Sequence, residues 1–205
     1  GNDQCGDALA GADGAGQVRG DLPHLLFVFF GGGDRGEGAA DADIMIIGEG
    51  PGYQEDRLGR PFVGPAGQFL DELLASIGMR REQVFIANMI KCRPPNNRDP
   101  LPGEVAACSK YLDRQIQLLR PKVIVTLGRH SLAKFVPGAT ISKSRGEAVR
   151  KDGFILYPIY HPAAALYQQS LRRVIEEDFK AIPALLKERA APPQVEEQAQ
   201  QLSLL

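Results

Sequence analysis

His161-Pro162-Ala163-Ala164 and Gly48-Glu49-Gly50-Pro51-Gly52 are the stretches of this chain whose residue types could do chemistry. Each directly follows an apolar run. Ile44-Met45-Ile46-Ile47 precedes the glycine-rich stretch, and Phe154-Ile155-Leu156-Tyr157 with Ile159-Tyr160 precedes the histidine. An imidazole can donate or accept a proton near neutral pH. Closely spaced glycines expose backbone that a ligand can approach without meeting Cβ atoms. In open α/β sheets ligands bind outside the carboxyl ends of the strands. The two loops are therefore expected to meet at one pocket, although about 110 residues separate them.

The glycine-rich stretch is neither a Walker loop nor a dinucleotide fingerprint. Tyr53 stands at the third glycine position, and no Gly-Lys-Ser/Thr follows. It is either a tight strand-to-loop turn or a backbone pocket floor. Phe62, in Arg60-Pro61-Phe62-Val63-Gly64, sits just before a helical pattern. It is either a core staple or a ring on which a flat base stacks. Asn88 ends the apolar run Val84-Phe85-Ile86-Ala87. Its amide offers a donor and an acceptor together, which suits a pyrimidine edge; the plainer alternative is a turn or cap. His161 is one of three histidines, and His130 is the weaker candidate. Cys92 and Cys108 are separated by 15 residues. They are two ordinary buried thiols or ligands of a metal or cluster, which would need more ligands; Cys5 is the only other thiol.

The elements that must position these residues follow from periodicity. Strands are expected at 44–47, 84–87, 123–127 and 154–160, the last after a hairpin through Asp152-Gly153. Helices are expected over 64–77, 104–119, 131–135 and 171–186. Apolar strands alternating with helices imply a mainly parallel four-stranded sheet covered on both faces. Arg93 to Pro100 is a Pro-rich connection, and such a loop in a compact domain is more often functional than not. Residues 1–38 are an irregular Gly- and Ala-rich segment, 39–188 the folded domain, and 189–205 a disordered tail.

The 205 residues suit one domain with tails. Three unevenly spaced cysteines imply no disulfide framework and fit a reducing cytoplasm. No apolar run spans a bilayer, and Leu22 to Phe30 lacks the flanks of a signal peptide. A net charge of −1 argues against a generic nucleic-acid binder. Its distribution does not, since residues 88–151 hold 13 Lys/Arg against 4 Asp/Glu. Such a segment can neutralise phosphates or be only a solvated basic face.

Taken jointly, several blocks resemble the family 4 uracil-DNA glycosylases, the iron–sulfur type of the uracil-DNA glycosylase superfamily. They are Gly48–Gly52, Gly59 to Gly67, Asn88 with Lys91-Cys92-Arg93-Pro94-Pro95, Asn97-Arg98-Asp99-Pro100, Cys108, Leu127-Gly128 and His161-Pro162-Ala163-Ala164. The resemblance runs from about Gly36 to Leu186 and implies a three-layer α/β/α sandwich. It implies hydrolysis of the N-glycosidic bond of uracil in DNA after the nucleotide is flipped from the stack. Phe62 would stack on the base, Asn88 would read its edge, and Glu55 would exclude the thymine methyl. His161 would stabilise the departing uracil anion, with Gly48, Gly50, Pro51 and Gly52 around it. Other glycosylase families place an Asp where this chain has Gly50, and family 4 usually has Ala. Water would then be held by backbone carbonyls or by Glu49. Arg129, Ser131, Lys143 and Arg145 would contact phosphates, and the segment from Ala164 to Gln168 would wedge into the duplex. The partner is uracil-containing DNA, the chain is expected to act as a monomer, and a sliding-clamp contact is left open.

The same resemblance implies a [4Fe–4S] cluster held by four cysteines, and here the chain departs from its family. Cys92 and Cys108 match the later pair, whereas the early C-x2-C is missing and Cys5 lies too far upstream. Shifting the codons of residues 21–26 by one nucleotide permits Thr-Cys-Arg-Thr-Cys. The reading is that residues up to about Arg35 are translated out of frame, with the frame restored by Gly36. A cluster is thus expected from the lineage, with an incomplete ligand set in this chain. Two functions follow: an active uracil-DNA glycosylase, or a uracil- or damage-binding module without efficient turnover.

Overall fold

A computed structural model describes residues 34–187. Cys5, the shifted-frame stretch at 21–26 and the tail from residue 188 onward lie outside them.

The strands are β1 (Glu37–Gly38), β2 (Ile44–Gly48), β3 (Phe85–Asn88), β4 (Val123–Leu127), β5 (Val149–Lys151) and β6 (Phe154–Ile159). They form one sheet in the order β1-β3-β2-β4-β6-β5. The four inner strands are parallel, and every residue on them is buried. The alternation of side chains sorts them onto two faces. Ile44 and Ile46 pack with Phe69, Leu70 and Leu73, while Met45 and Ile47 pack with Cys108, Tyr111 and Leu112. Helices α1 (Tyr53–Leu58), α2 (Pro65–Ser76), α3 (Pro102–Leu119), α4 (Arg129–Phe135), α5 (Ile141–Ser144), α6 (Pro162–Tyr167), α7 (Ser170–Lys180) and α8 (Ile182–Lys187), with the 3-10 turns Arg81–Gln83 and Pro95–Asn97, complete the described chain. Helices α2, α7 and α8 supply the first cluster, and α3 and α4 supply the second. The three-layer expectation holds.

Three details differ from the sequence reading. The sheet has six strands because each edge gains an antiparallel one: β1 on β3 and β5 on β6. Two residues are too few to show a period, and β5 is largely exposed, so neither carries an apolar signature. Second, the expected helix over 171–186 is two helices meeting at Ala181. Pro183 has no N–H and would clash with a preceding carbonyl in a continuous helix, but is tolerated in the first turn of α8. Third, the residues after His161 are not a loop but helix α6, with Pro162 at its start. The hairpin through Asp152-Gly153 is as expected: both residues have positive φ (49° and 88°), as a tight primed turn requires. No helix among the described residues is long and apolar enough to cross a membrane.

Candidate functional site

The parallel register sets the site. Gly48 is the partner of Asn88 at the ends of β2 and β3, and Leu127 is the partner of Ile159 at the ends of β4 and β6. Beyond the latter pair, the Gly128 N–H donates to Ile159 O (2.9 Å), and a Cβ on Gly128 would stand 3.2 Å from His161 Cβ. Four adjacent strand ends thus present Asn88, Gly48, Gly128 and His161 along one edge.

Asn88 is buried, and its Nδ2 donates to Asp34 Oδ2. Asp34 is itself buried. Its Oδ1 accepts from the Gly36 N–H (2.9 Å), and its own N–H donates to Lys91 O (2.8 Å). Burial pushes the Asp34 carboxyl up, and the buried Lys91 pulls it back. Asp34 accepts at both oxygens, from Gly36 and from Asn88, which sets the amide with its nitrogen toward Asp34 and its oxygen away. That oxygen, Asn88 Oδ1, is buried and has no hydrogen-bond partner among the described residues. It hangs over Gly48, where a Cβ would fall 2.3 Å from it and 2.7 Å from the Phe62 ring. Gly48 is glycine because two pocket groups occupy the space of its side chain. Asp34 is a site residue that the sequence did not reveal, since an Asp in an irregular stretch carries no signal.

Phe62 is buried and stacks on His161, with ring centroids 5.4 Å apart and planes 23° apart. Its φ of 52° is left-handed, uncommon for a bulky residue. Glu55 Oε1 accepts from the N–H groups of Val63 (3.0 Å) and Gly64 (2.8 Å), so its carboxylate caps the start of α2, whose N-cap Gly64 has no side chain to do so. The structure gives Glu55 this positioning task beside Phe62.

His161 is half-buried and is the N-cap of α6; its Nδ1 accepts from the Ala163 N–H (3.1 Å). A nitrogen that accepts carries no proton, so in the neutral ring the proton sits on Nε2. Burial pushes the imidazole down to about 4, with the Glu55 carboxylate pulling the other way. The site therefore presents a neutral imidazole with an Nε2–H donor at pH 7.

Glu49, one residue beyond Gly48, lies beside His130 and Asp99. His130 Nε2 lies 3.9 Å from Glu49 Oε2 and 3.5 Å from Asp99 Oδ1, and the three side chains form the one cluster of that kind among the described residues. Arg129 already serves it, donating to Asp99 (2.5 Å) and to His130 Nε2 (2.9 Å). Burial raises the Glu49 carboxyl; Asp99 adds to the rise, while His130 and Arg129 oppose it. The Gly48 and Glu49 carbonyls accept from Met89 and Ile90 N–H groups (both 3.0 Å). A Cβ on Gly50 would meet Ile90 Cγ1 at 2.5 Å, so a larger residue there requires Ile90 to move.

The model of the uracil DNA glycosylase superfamily matches residues 35–183, a span containing Asn88, Phe62 and His161. The chain belongs to the uracil-DNA glycosylase superfamily. It is 52% identical over 161 residues to a type-4 uracil-DNA glycosylase of Sulfurisphaera tokodaii, covering 73% of each. Against a type-4 enzyme of Thermotoga maritima it is 47% identical, covering 74% of this chain and 82% of the relative. A type-5 enzyme of Pyrobaculum aerophilum is more distant, at 31% over 62% of this chain and 63% of the relative. The motif resemblance to family 4 and these identities agree.

The expected DNA-facing residues of this glycosylase fold divide. Arg129 and Lys143 are exposed. Ser131 is not: it is buried, and its hydroxyl donates to Leu127 O (2.9 Å), so it ties α4 to β4 instead of meeting a phosphate. Arg145 pairs with the buried Asp178 and lies over the Tyr160 ring, 5.9 Å from its centroid. Ala164 is half-buried inside α6, whereas Leu166 and Tyr167 at the end of that helix are 51% and 93% exposed. These two large apolar side chains are the exposed tip that the sequence reading placed more loosely between Ala164 and Gln168.

The described residues contain two of the chain's three cysteines. Cys108 is fully buried and its Sγ accepts from the Lys91 N–H (3.3 Å); Cys92 is half-buried. Neither belongs to a group of three or more metal-ligating side chains among the described residues. The whole chain has three cysteines, one fewer than the set requires. The loop that Cys92 and Cys108 flank has other anchors: Arg98 forks onto Glu104 (2.9 and 2.7 Å), Arg93 donates to Asn97 (2.6 Å), and Asp99 pairs with Arg129.

Proposed function

We propose that this chain excises uracil from DNA, leaving an abasic site. The observation that carries the reading is the buried, unpartnered Asn88 Oδ1 over Gly48, beside Phe62 and His161. A fixed acceptor next to an Nδ2 with a second hydrogen to give matches the N3–H and O4 of uracil. Cytosine, with a lone pair at N3, would meet that oxygen with like polarity. At 5.4 Å the two rings leave no room for a base between them. The base therefore lies against Phe62 with one edge toward His161. As the bond from N1 to the sugar breaks, its electron pair goes to the base, and the neutral Nε2–H of His161 donates to the oxygen where charge collects. Water adds to the sugar carbon and its proton passes to the Glu49 carboxylate, whose raised affinity for protons favours that transfer. Exposed Arg129 and Lys143 hold phosphates, and Leu166 and Tyr167 fill the gap left by the flipped nucleotide. No step passes through an iron–sulfur cluster.

Incubation with a uracil-containing oligonucleotide followed by alkali tests this: strand scission needs a true abasic product. The incomplete cysteine set favours one second reading, binding without turnover. That reading expects retention of the oligonucleotide in a mobility shift with no alkali-labile product.

A further inference from the structure

Phe62 is the one non-glycine residue of the pocket with left-handed backbone, and the chain around it is gripped from three sides. Glu55 holds the N–H groups that follow it. Gly67 makes room for its carbonyl, since a Cβ there would fall 1.8 Å from Phe62 O. The third grip is Arg81, 19 residues away. Its Nη1 donates to Phe62 O (3.0 Å) and its Nη2 donates to Pro61 O. Only 12% of the Arg81 side chain is exposed. Glu37 on the edge strand β1 accepts from Arg81 Nε (3.3 Å) and from Arg60 (2.7 Å), which orients the guanidinium. Left-handed backbone at a bulky residue costs energy and persists only where its surroundings over-determine it. A planar fork aimed at two consecutive carbonyls does that, whereas a lysine, with one compact head, holds them less firmly.

We propose that Arg81 is a positioning residue for base stacking: by gripping the carbonyls of Pro61 and Phe62 it keeps Phe62 in the strained conformation that lays its ring beside His161 and under the base. This rests on the reading that Phe62 stacks on uracil. It assigns a task to Glu37 and the short strand β1 as well, that of aiming the guanidinium.

The test compares Arg81→Gln, Arg81→Lys, Phe62→Ala and the Phe62→Ala/Arg81→Gln double variant, with circular dichroism to verify folding. Two duplex probes are used: one with 2′-fluoro-2′-deoxyuridine, whose glycosidic bond resists cleavage, and one with a tetrahydrofuran abasic analogue. Arg81→Gln should weaken binding of the uracil probe by about 5- to 150-fold, the range of one base–aromatic stack. It should leave the abasic probe within about twofold, since that probe has no base to stack. Arg81→Lys should fall between, and it carries the comparison if the Gln variant does not fold. The double variant should bind like Phe62→Ala alone. Equal weakening on both probes, or losses that multiply in the double variant, would overturn the proposal. If Phe62→Ala leaves uracil binding unchanged, the stacking reading itself has failed, which is a separate result.

Discussion

His161 should work as a neutral hydrogen-bond donor throughout the working range, and lowering pH tests that directly. Its imidazole is pushed down to about 4 from the usual 6.5, first by burial. Between those values the unfolded chain holds more proton than the folded one, so stability rises with pH across that window. The contribution is fully present above 6.5 and is lost as pH falls toward 4. A displacement of that size corresponds to about 3 kcal/mol, and partial exposure of the ring reduces the expectation to about 2 kcal/mol. Asp34, Glu49 and Asp178 shift upward and titrate with the opposite sign, so the wild-type curve alone does not isolate His161. Urea unfolding of wild type and His161→Gln from pH 4 to pH 8 does so, because their difference removes the shared groups. The stability difference should change by about 2 kcal/mol over that window and be flat above about pH 7. Single-turnover excision should show no inflection near 6.5 in the wild type, and His161→Ala should lower the chemical step by roughly 10²- to 10³-fold. A difference curve flat throughout, or an imidazole resonance assigned to His161 that titrates near 6.5, would refute the neutral-donor reasoning.

Gly50→Ala drives a methyl into Ile90 and should destabilise the fold by about 1–3 kcal/mol; Ile90→Val should recover part of that in urea titrations, because the clash is with Ile90 Cγ1 and Cδ1. Leu166→Ala combined with Tyr167→Ala should slow excision from duplex far more than from single-stranded DNA, as only the duplex has a gap to fill; equal effects on both substrates would count against a wedge. Iron analysis of the purified chain should give fewer than four irons, and chelation should leave the excision rate unchanged, since three cysteines cannot complete a four-cysteine set. Four irons per chain would contradict that.

The layered parallel sheet was legible in residue types alone, because Ile44–Ile47, Val84–Ala87, Val123–Leu127 and Phe154–Ile159 are apolar on both faces and are buried between two layers of helices. The placement of the candidate site was legible there too, since Gly48, Asn88 and His161 all stand where strands end. The edge strands escaped that reading, being short or exposed, and so did helix α6, whose small residues read as a loop. How the site residues are aimed came from contacts made in the folded chain. Asn88 faces the pocket with its oxygen because Asp34, 54 residues away, takes the nitrogen. His161 carries its proton on Nε2 because the Ala163 N–H occupies Nδ1. Ser131 turned inward and Arg145 found Asp178 because a buried or ion-paired partner lay within reach. Residue types and periodicity report burial and backbone preference, which are local. Amide orientation, tautomer and the grip of Arg81 on Phe62 come from contacts between segments far apart in the chain, and no local pattern encodes them.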